Sequence, residues 1–396
     1  MVYVVASACV LLLVAAIVII DIVPIAREWL GRIHIGRYAD RERWGSDVTK
    51  RGLGWLNRTP TIRATDNTRF IALDMLRGNY AKRAIQHWQE ASLLLGLAET
   101  TDSSPGKDEE TRREIKAFLA AKFDEQGRWL HQPQYVDASI LAYAVLKLPD
   151  AADTYRAAMD ETWALIREHI GADGTVLYRK GMANYRYVDT IGFICPFLVR
   201  YGLTFNHPEC VELAVRQIRE YAKQAMPESL YVPFHAYQVS TGYPLGLYGW
   251  GRGLGWFAIG LADAWNELPD SHELKPELEA TVVRFAKAAM ACQGSPGCWH
   301  WTVIRAESRP DSSATATLAW FLQQASRIPE IASEASSAVD RAIRYLMSVT
   351  RRNGTVDFSQ GDTKDIGVYA MLFSTLPFTQ GFCIRLFQAA SAREKA

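Results

Sequence analysis

One punctuation mark recurs along this chain. A helix-like apolar stretch ends in a short glycine turn, and an aromatic residue or valine follows. It is seen in Gln126-Gly127-Arg128-Trp129, Asp173-Gly174-Thr175-Val176, Gly297-Cys298-Trp299 and Asn353-Gly354-Thr355-Val356, and more loosely around residue 229. Glycine supplies the positive φ that stops a helix. Successive turns lie 47 to 68 residues apart. Each interval holds two segments with apolar residues three and four apart, the mark of amphipathic helices. Strand-like alternation is sparse. Repeated helical hairpins build an open solenoid or a closed ring. The intervals are too uneven for a tetratricopeptide array. The pattern predicts an all-α (α/α)6 barrel, six hairpins closing a double ring, with loops of unequal length at its mouth.

The N-terminus adds one element. Met1 to Ile20 carry no charged side chain, and Val10 to Ile20 are almost wholly aliphatic. About 20 such residues cross a bilayer core. A cleaved signal peptide normally has a positive start and a small-residue exit, and neither is present. The expectation is one transmembrane helix over 1–21, a juxtamembrane connector over 22–64, and the barrel over 65–396. Trp29, Trp44 and Trp55 are candidate interface anchors of the connector. Arg27, Arg32, Arg37, Arg41 and Arg43 follow the apolar run. Positive residues stay on the cytoplasmic side, so the expected location is the cytoplasmic membrane, single-pass, with the C-terminal domain inside.

Composition excludes other classes. With 49% hydrophobic residues among 396, the chain can bury a large core. The formal net charge is +1, from 44 basic and 43 acidic residues, without the basic bias of a nucleic-acid binder. Six cysteines stand apart with no Cys-x-x-Cys, so neither a zinc site nor a disulfide framework is expected. No cofactor or metal is called for.

Four places carry candidate chemistry. Asp137 (Tyr135-Val-Asp137) and Asp189 (Tyr187-Val-Asp189) both open apolar helices. Asp at such a position is often only an N-cap. In apolar, aromatic surroundings its carboxyl pKa would instead rise, and paired carboxylates would separate theirs, as acid–base catalysis near neutral pH requires. Trp250-Gly-Arg252-Gly-Leu-Gly-Trp256 is glycine-rich but lacks the strand and the Lys-Ser/Thr of a phosphate loop. It suits Trp faces stacking on a sugar, with the Arg252 fork gripping a carboxylate. A structural Trp pair around an ion-paired arginine is the plain alternative. His235 is a candidate sugar-hydroxyl donor or proton relay. His131, His300, Trp299 and Trp301 are weaker candidates for the same mouth. Asp311 to Thr317 fits ordinary N-capping.

Together these residues carry a resemblance. Val136-Asp137-Ala138, Val188-Asp189 with Pro196-Phe197-Leu198, His235, the Trp250–Trp256 element and Ser312-Ser-Ala-Thr-Ala316 occur in the order seen in the unsaturated rhamnogalacturonyl hydrolases. These form glycoside hydrolase family 105, related to the unsaturated glucuronyl hydrolases of family 88. The resemblance covers roughly residues 70 to 390. It implies an (α/α)6 barrel, no metal, and an oligosaccharide substrate with a 4,5-unsaturated uronic acid at its non-reducing end. It makes Asp189 the general acid/base, Asp137 the second carboxylate, and His235, Trp250, Arg252 and Trp256 the substrate-binding residues. The sequence departs from the family pattern at Leu254, where Asn is usual, at Val188, often Met, and in its membrane anchor. The alternative is a membrane-tethered glycan-binding protein working with polysaccharide-assembly proteins.

Overall fold

The computed structural model describes residues 1–60, 62, 70–77, 87–101 and 109–395. In chain order the helices are α1 (Val2–Ile17), α2 (Val23–Arg32), α3 (Arg41–Leu56), α4 (Ile71–Leu76), α5 (His87–Thr101), α6 (Glu109–Ala120), α7 (Ala138–Leu146), the short α8 (Ala151–Thr154), α9 (Arg156–Arg167), α10 (Val188–Phe205), α11 (Pro208–Ala225), α12 (Gly251–Glu267), α13 (Lys275–Ala291), α14 (Ser312–Ala325), α15 (Ala332–Ser348) and α16 (Pro377–Lys395). A π-helical turn, Val18–Ile22, joins α1 to α2.

Six apolar helices form the inner ring: α5, α7, α10, α12, α14 and α16. Nearly every described residue of α7 and α14 is buried, as a wall with neighbours on both sides requires. The ring closes where α16 packs along α5. Glycines set the close approach. A Cβ on Gly192 or Gly260 would strike backbone across the α10–α12 contact, and one on Gly96 or Gly381 would do so between α5 and α16. The outer helices α3, α6, α9, α11, α13 and α15 bury one face each, so their sequences alternate apolar and charged residues at helical spacing. Away from the mouth, Arg385 of α16 clamps Asp263 of α12 at 2.9 and 3.0 Å and Glu99 of α5 at 2.8 Å.

The six-hairpin barrel matches the sequence reading, but its first outer helix differs. That helix is α3, within the span 22–64 expected to be a connector. Trp44, Val48 and Leu56 are buried against the ring, and the Trp44 indole donates to Thr350 Oγ1 at 2.9 Å. Trp44 is thus a core residue, not an interface anchor. Trp55 is partly buried, and Trp29 is 67% exposed. The turn at Gly354 packs on Asp47 of α3 as the turn at Gly297 packs on Arg341 of α15. Between α3 and α5 the described residues include α4, and residues 61, 63–69 and 78–86 lie outside the described ones. Val2–Arg32 is one helix long and apolar enough to cross a membrane, which fits an anchor or a signal sequence.

Among the described residues the strands lie at the mouth. An antiparallel sheet is ordered β1 (Tyr185–Tyr187), β2 (Phe234–Gln238), β3 (Pro244–Tyr248). A two-stranded ladder pairs β4 (Ser359–Gln360) with β5 (Phe373–Ser374).

Candidate active site

All inner helices begin at the mouth, so residues at their N-termini converge there. Asp189 in the first turn of α10, Trp250 capping α12, Arg252 and Trp256 of α12, and His235 of β2 line one cavity. Trp88, Tyr178, Arg179, Tyr187, Phe193, Asp362, Thr363, Lys364 and Asp365 complete its wall. Its volume is about 50 Å³.

Asp189 does not cap its helix. Its Oδ2 is buried, has no hydrogen-bond partner, and lies 3.4 Å from His235 Nε2. The histidine is held from behind: Nδ1 stands 2.9 Å from the Tyr369 hydroxyl, which accepts the Leu247 amide at 2.7 Å. With that oxygen already accepting, its proton is best placed on Nδ1. The neutral imidazole then carries its hydrogen on Nε2, toward Asp189. A Cβ at Gly246 would crowd both the Tyr369 hydroxyl and His235. Burial, partly offset by the Leu247 amide and reinforced by Asp189, pushes the Tyr369 phenol up to about 12, so it stays a donor.

Arg252 is 2% exposed. Its Nη2 donates to the carbonyls of Gln360 and Gly361, the latter at 2.7 Å, while its Nε has no partner. Burial lowers the guanidinium pKa, and Asp311, Asp362 and Asp189 oppose that. The Trp250 indole donates to Gln360 Oε1 at 2.9 Å, and its ring lies 4.5 Å from that of His235. Trp256 stands edge-on to Trp88 at 5.5 Å and tilted against Phe193 at 4.6 Å.

Asp137 sits behind this wall rather than in it. It occupies the N-cap position of α7 but makes no capping bond, and its Oδ1 is buried without a partner. Burial drives its carboxyl up to about 7; its own backbone amide and Arg179 pull it down, and Asp362 pushes it further up. Tyr178 joins the two halves, because the charges of both Asp137 and Asp189 add to burial in raising its phenol. Asp362 is a third carboxyl, which the sequence reading missed. Burial raises it to about 6 against the pull of Arg252. Four buried polar atoms here, on Asp137, Asp189, Arg252 and Thr363, find no partner within the protein. Each such orphan costs roughly 1–3 kcal/mol, which a polar ligand reaching it would recover.

The weaker candidates lie elsewhere. Asp311 caps α14 through Ser313 N at 2.9 Å, as its plain reading holds, and also accepts the Gln360 amide at 2.9 Å. The Trp299 indole is tied to Ala289 O at 2.8 Å in the core. His131 is exposed, and neither it nor His300 lines the cavity. Among the described residues no cluster of His, Cys, Asp and Glu could hold a metal.

Comparison with known proteins places this geometry. Residues 63–382 match Glycosyl Hydrolase Family 88. A relative, the 24.9 kDa protein in picA locus of Rhizobium radiobacter, is 30% identical over 166 residues, 39% of this chain and 69% of that protein. A solved structure from Klebsiella pneumoniae, described as a possible member of the GH105 family, superposes with a TM-score of 0.73 at 17% identity, over 89% of this chain and 93% of that one. The unsaturated glucuronyl hydrolase of Bacillus sp. GL1, described as responsible for the degradation of glycosaminoglycan, gives 0.64 at 15% identity, over 88% and 95%. At these identities the superpositions speak for the fold.

Proposed function

Since the chain belongs to glycosyl hydrolase family 88 and is a glycoside hydrolase, we propose that it hydrates a 4,5-unsaturated uronic acid at the non-reducing end of an oligosaccharide and so releases the next sugar. The observation that carries this reading is the meeting of Asp189, His235 and Arg252 in one aromatic cavity, with Asp362 in its wall and Asp137 behind it, both carboxyls raised by burial.

In this reading the uronate carboxylate lies toward Arg252 Nε, and its ring is bounded by Trp250 and Trp256. Asp189, in its protonated form, gives a proton to C4. Positive charge develops at C5, where Asp137 and Asp362 supply negative potential when ionised. Water adds to C5, and Asp189 takes the proton which that water loses. The C5 hemiketal then opens, and the neighbouring sugar leaves with its glycosidic oxygen. His235 Nε2–H fixes the Asp189 carboxylate between the two proton transfers.

Residues 1–21 serve as the anchor, and the domain begins at α3. The arginines after the apolar run favour a cytoplasmic domain. The test of function uses the full chain in detergent with a panel of unsaturated uronyl disaccharides. Loss of the conjugated enol-acid absorbance is expected for wild type and not for Asp189→Asn, which should still bind. Equal turnover by the two proteins would remove Asp189 from its role. No turnover on any member would refute the substrate class.

A further inference from the structure

The apolar N-terminal helix and the mouth of the barrel share one face. Arg32, at the end of α2, holds the buried Asp357 through Nε and Nη2 at 2.8 and 2.9 Å, and Nη2 also donates to the Phe373 carbonyl at 3.0 Å. Arg351 joins the same carboxylate at 2.7 Å. Phe373 pairs with Gln360, whose carbonyl and side chain hold Arg252 and Trp250 of the cavity. A single ladder step therefore separates the N-terminal helix from the site wall.

A second contact lies at the foot of the apolar run. Asp21, 3% exposed, accepts the Ala72 amide at 2.9 Å and so seats α4 beside the π-helical turn. Helix α4 belongs to the stretch that runs from α3 to the mouth end of α5. It leaves Leu73, Met75 and Leu76 exposed by 36%, 50% and 85%. On the neighbouring helix, Ile25, Trp29 and Leu30 are exposed by 43%, 67% and 57%. These side chains continue the surface of α1, which buries no residue at all.

We propose that α4 lies in the membrane interface beside the anchor, and that the catalytic mouth is held at that lipid surface. The occupant of the apolar face is a bilayer because the face is continuous with a helix that only hydrocarbon suits. Its level is also right: α4 meets the helix at Asp21, about where a run of about 20 apolar residues leaves the bilayer core. Trp29 has the amphipathic side chain favoured at such a boundary. From Asp21 to Arg32 the helix rises about 16 Å at roughly 1.5 Å per residue. The rim at Phe373 therefore stands within about that distance of the interface, and a glycan presented at the membrane surface reaches the cavity directly. The inference rests on residues 1–21 being an anchor and is independent of turnover.

Full-length protein reconstituted in phosphatidylcholine–phosphatidylglycerol vesicles tests it. An environment-sensitive fluorophore is placed on single cysteines at Leu76→Cys, Met75→Cys and Ser271→Cys in a Cys9→Ser, Cys292→Ser background, and on Cys9 itself in a Cys292→Ser protein. The buried cysteines at 195, 210, 298 and 383 are shielded. Ser271 is exposed in the α12–α13 loop, at the far end of the barrel. Doxyl-labelled lipid should quench the labels at 76, 75 and 9 at least twofold and leave that at 271 unchanged. Quenching at 9 with none at 75 and 76 would show an inserted anchor with the mouth held away, and would overturn the proposal. No quenching at any site would overturn it through the anchor. Equal quenching at 271 would show adsorption without orientation, which also contradicts it.

Discussion

Replacing Asp137 by asparagine swaps a reluctant charge for a neutral group of the same shape. In the folded chain this carboxyl titrates near 7 rather than at its ordinary 3.8, chiefly through burial. At about 1.4 kcal/mol per pH unit, ionising it there costs on the order of 4 kcal/mol. The sign follows from proton binding. Between pH 4 and 7 the native state holds a proton that the unfolded chain has released, so the native state loses stability as pH rises through that window. The penalty is complete above about 7 and absent below about 4. Asp137→Asn escapes it. At pH 8 the variant should be more stable than wild type by up to about 4 kcal/mol. An unfolding entropy of roughly 2 cal/mol/K per residue converts that to about 5 °C in Tm for a domain of about 350 residues. At pH 4 the two proteins should melt together. Calorimetry or thermal circular dichroism at both pH values measures the difference. A variant no more stable than wild type at pH 8, or equally stabilised at pH 4, would refute the claim that Asp137 is a buried carboxyl ionised against its environment. Activity should fall in the same variant, because the position is held for its charge.

Tyr369→Phe removes the hydroxyl that holds His235 Nδ1. It should lower kcat by roughly 10–100-fold, part of the roughly 100–10,000-fold that a positioned acid or base supplies, with little change in KM and an altered pH–rate profile; an unchanged profile would show the tyrosine to be packing only. Gly246→Ala places a Cβ against that hydroxyl in a positive-φ position and should reproduce the same kinetic defect. Arg252→Lys keeps the charge but loses the planar fork; KM for the unsaturated uronide should rise at least tenfold, and an unchanged KM would contradict carboxylate binding there. Arg32→Ala leaves Asp357 with Arg351 and the Phe358 amide. It should loosen the β4–β5 ladder, seen as faster hydrogen exchange of the Gly361 amide, which donates to the Leu372 carbonyl, while the far-end cluster around Arg385 keeps its protection.

The double ring was legible because its punctuation is local. A glycine turn needs only a few residues, and the inner helices are apolar enough to stand out by period alone. Helix α3 was not legible. Its buried face rests on Trp44, Val48 and Leu56, diluted by four Arg or Lys residues and three glycines, so its composition reads as a connector until Trp44 finds Thr350. The site divides the same way. Asp137, Asp189, Trp250, Arg252 and Trp256 lie at or near helix starts inside short motifs. Asp362 and Tyr369 belong to the irregular segment between β4 and β5, which has no period. Their positions are set by distant ties: Gln360 to Trp250 and Asp311, and Tyr369 to Leu247. A Gly-Asp-Thr-Lys-Asp run after the Gly354 turn was the available signal, and its polarity suits an ordinary loop equally well.

We propose that this hydrolase attacks a double bond and not the glycosidic carbon. A matched pair of oligosaccharides, identical except for the C4=C5 bond of the terminal uronate, tests it most directly, with release of the next sugar followed beside ultraviolet absorbance. Release from the unsaturated member alone, in step with loss of its absorbance, is the expected result. Release from the saturated member at a comparable rate would contradict it.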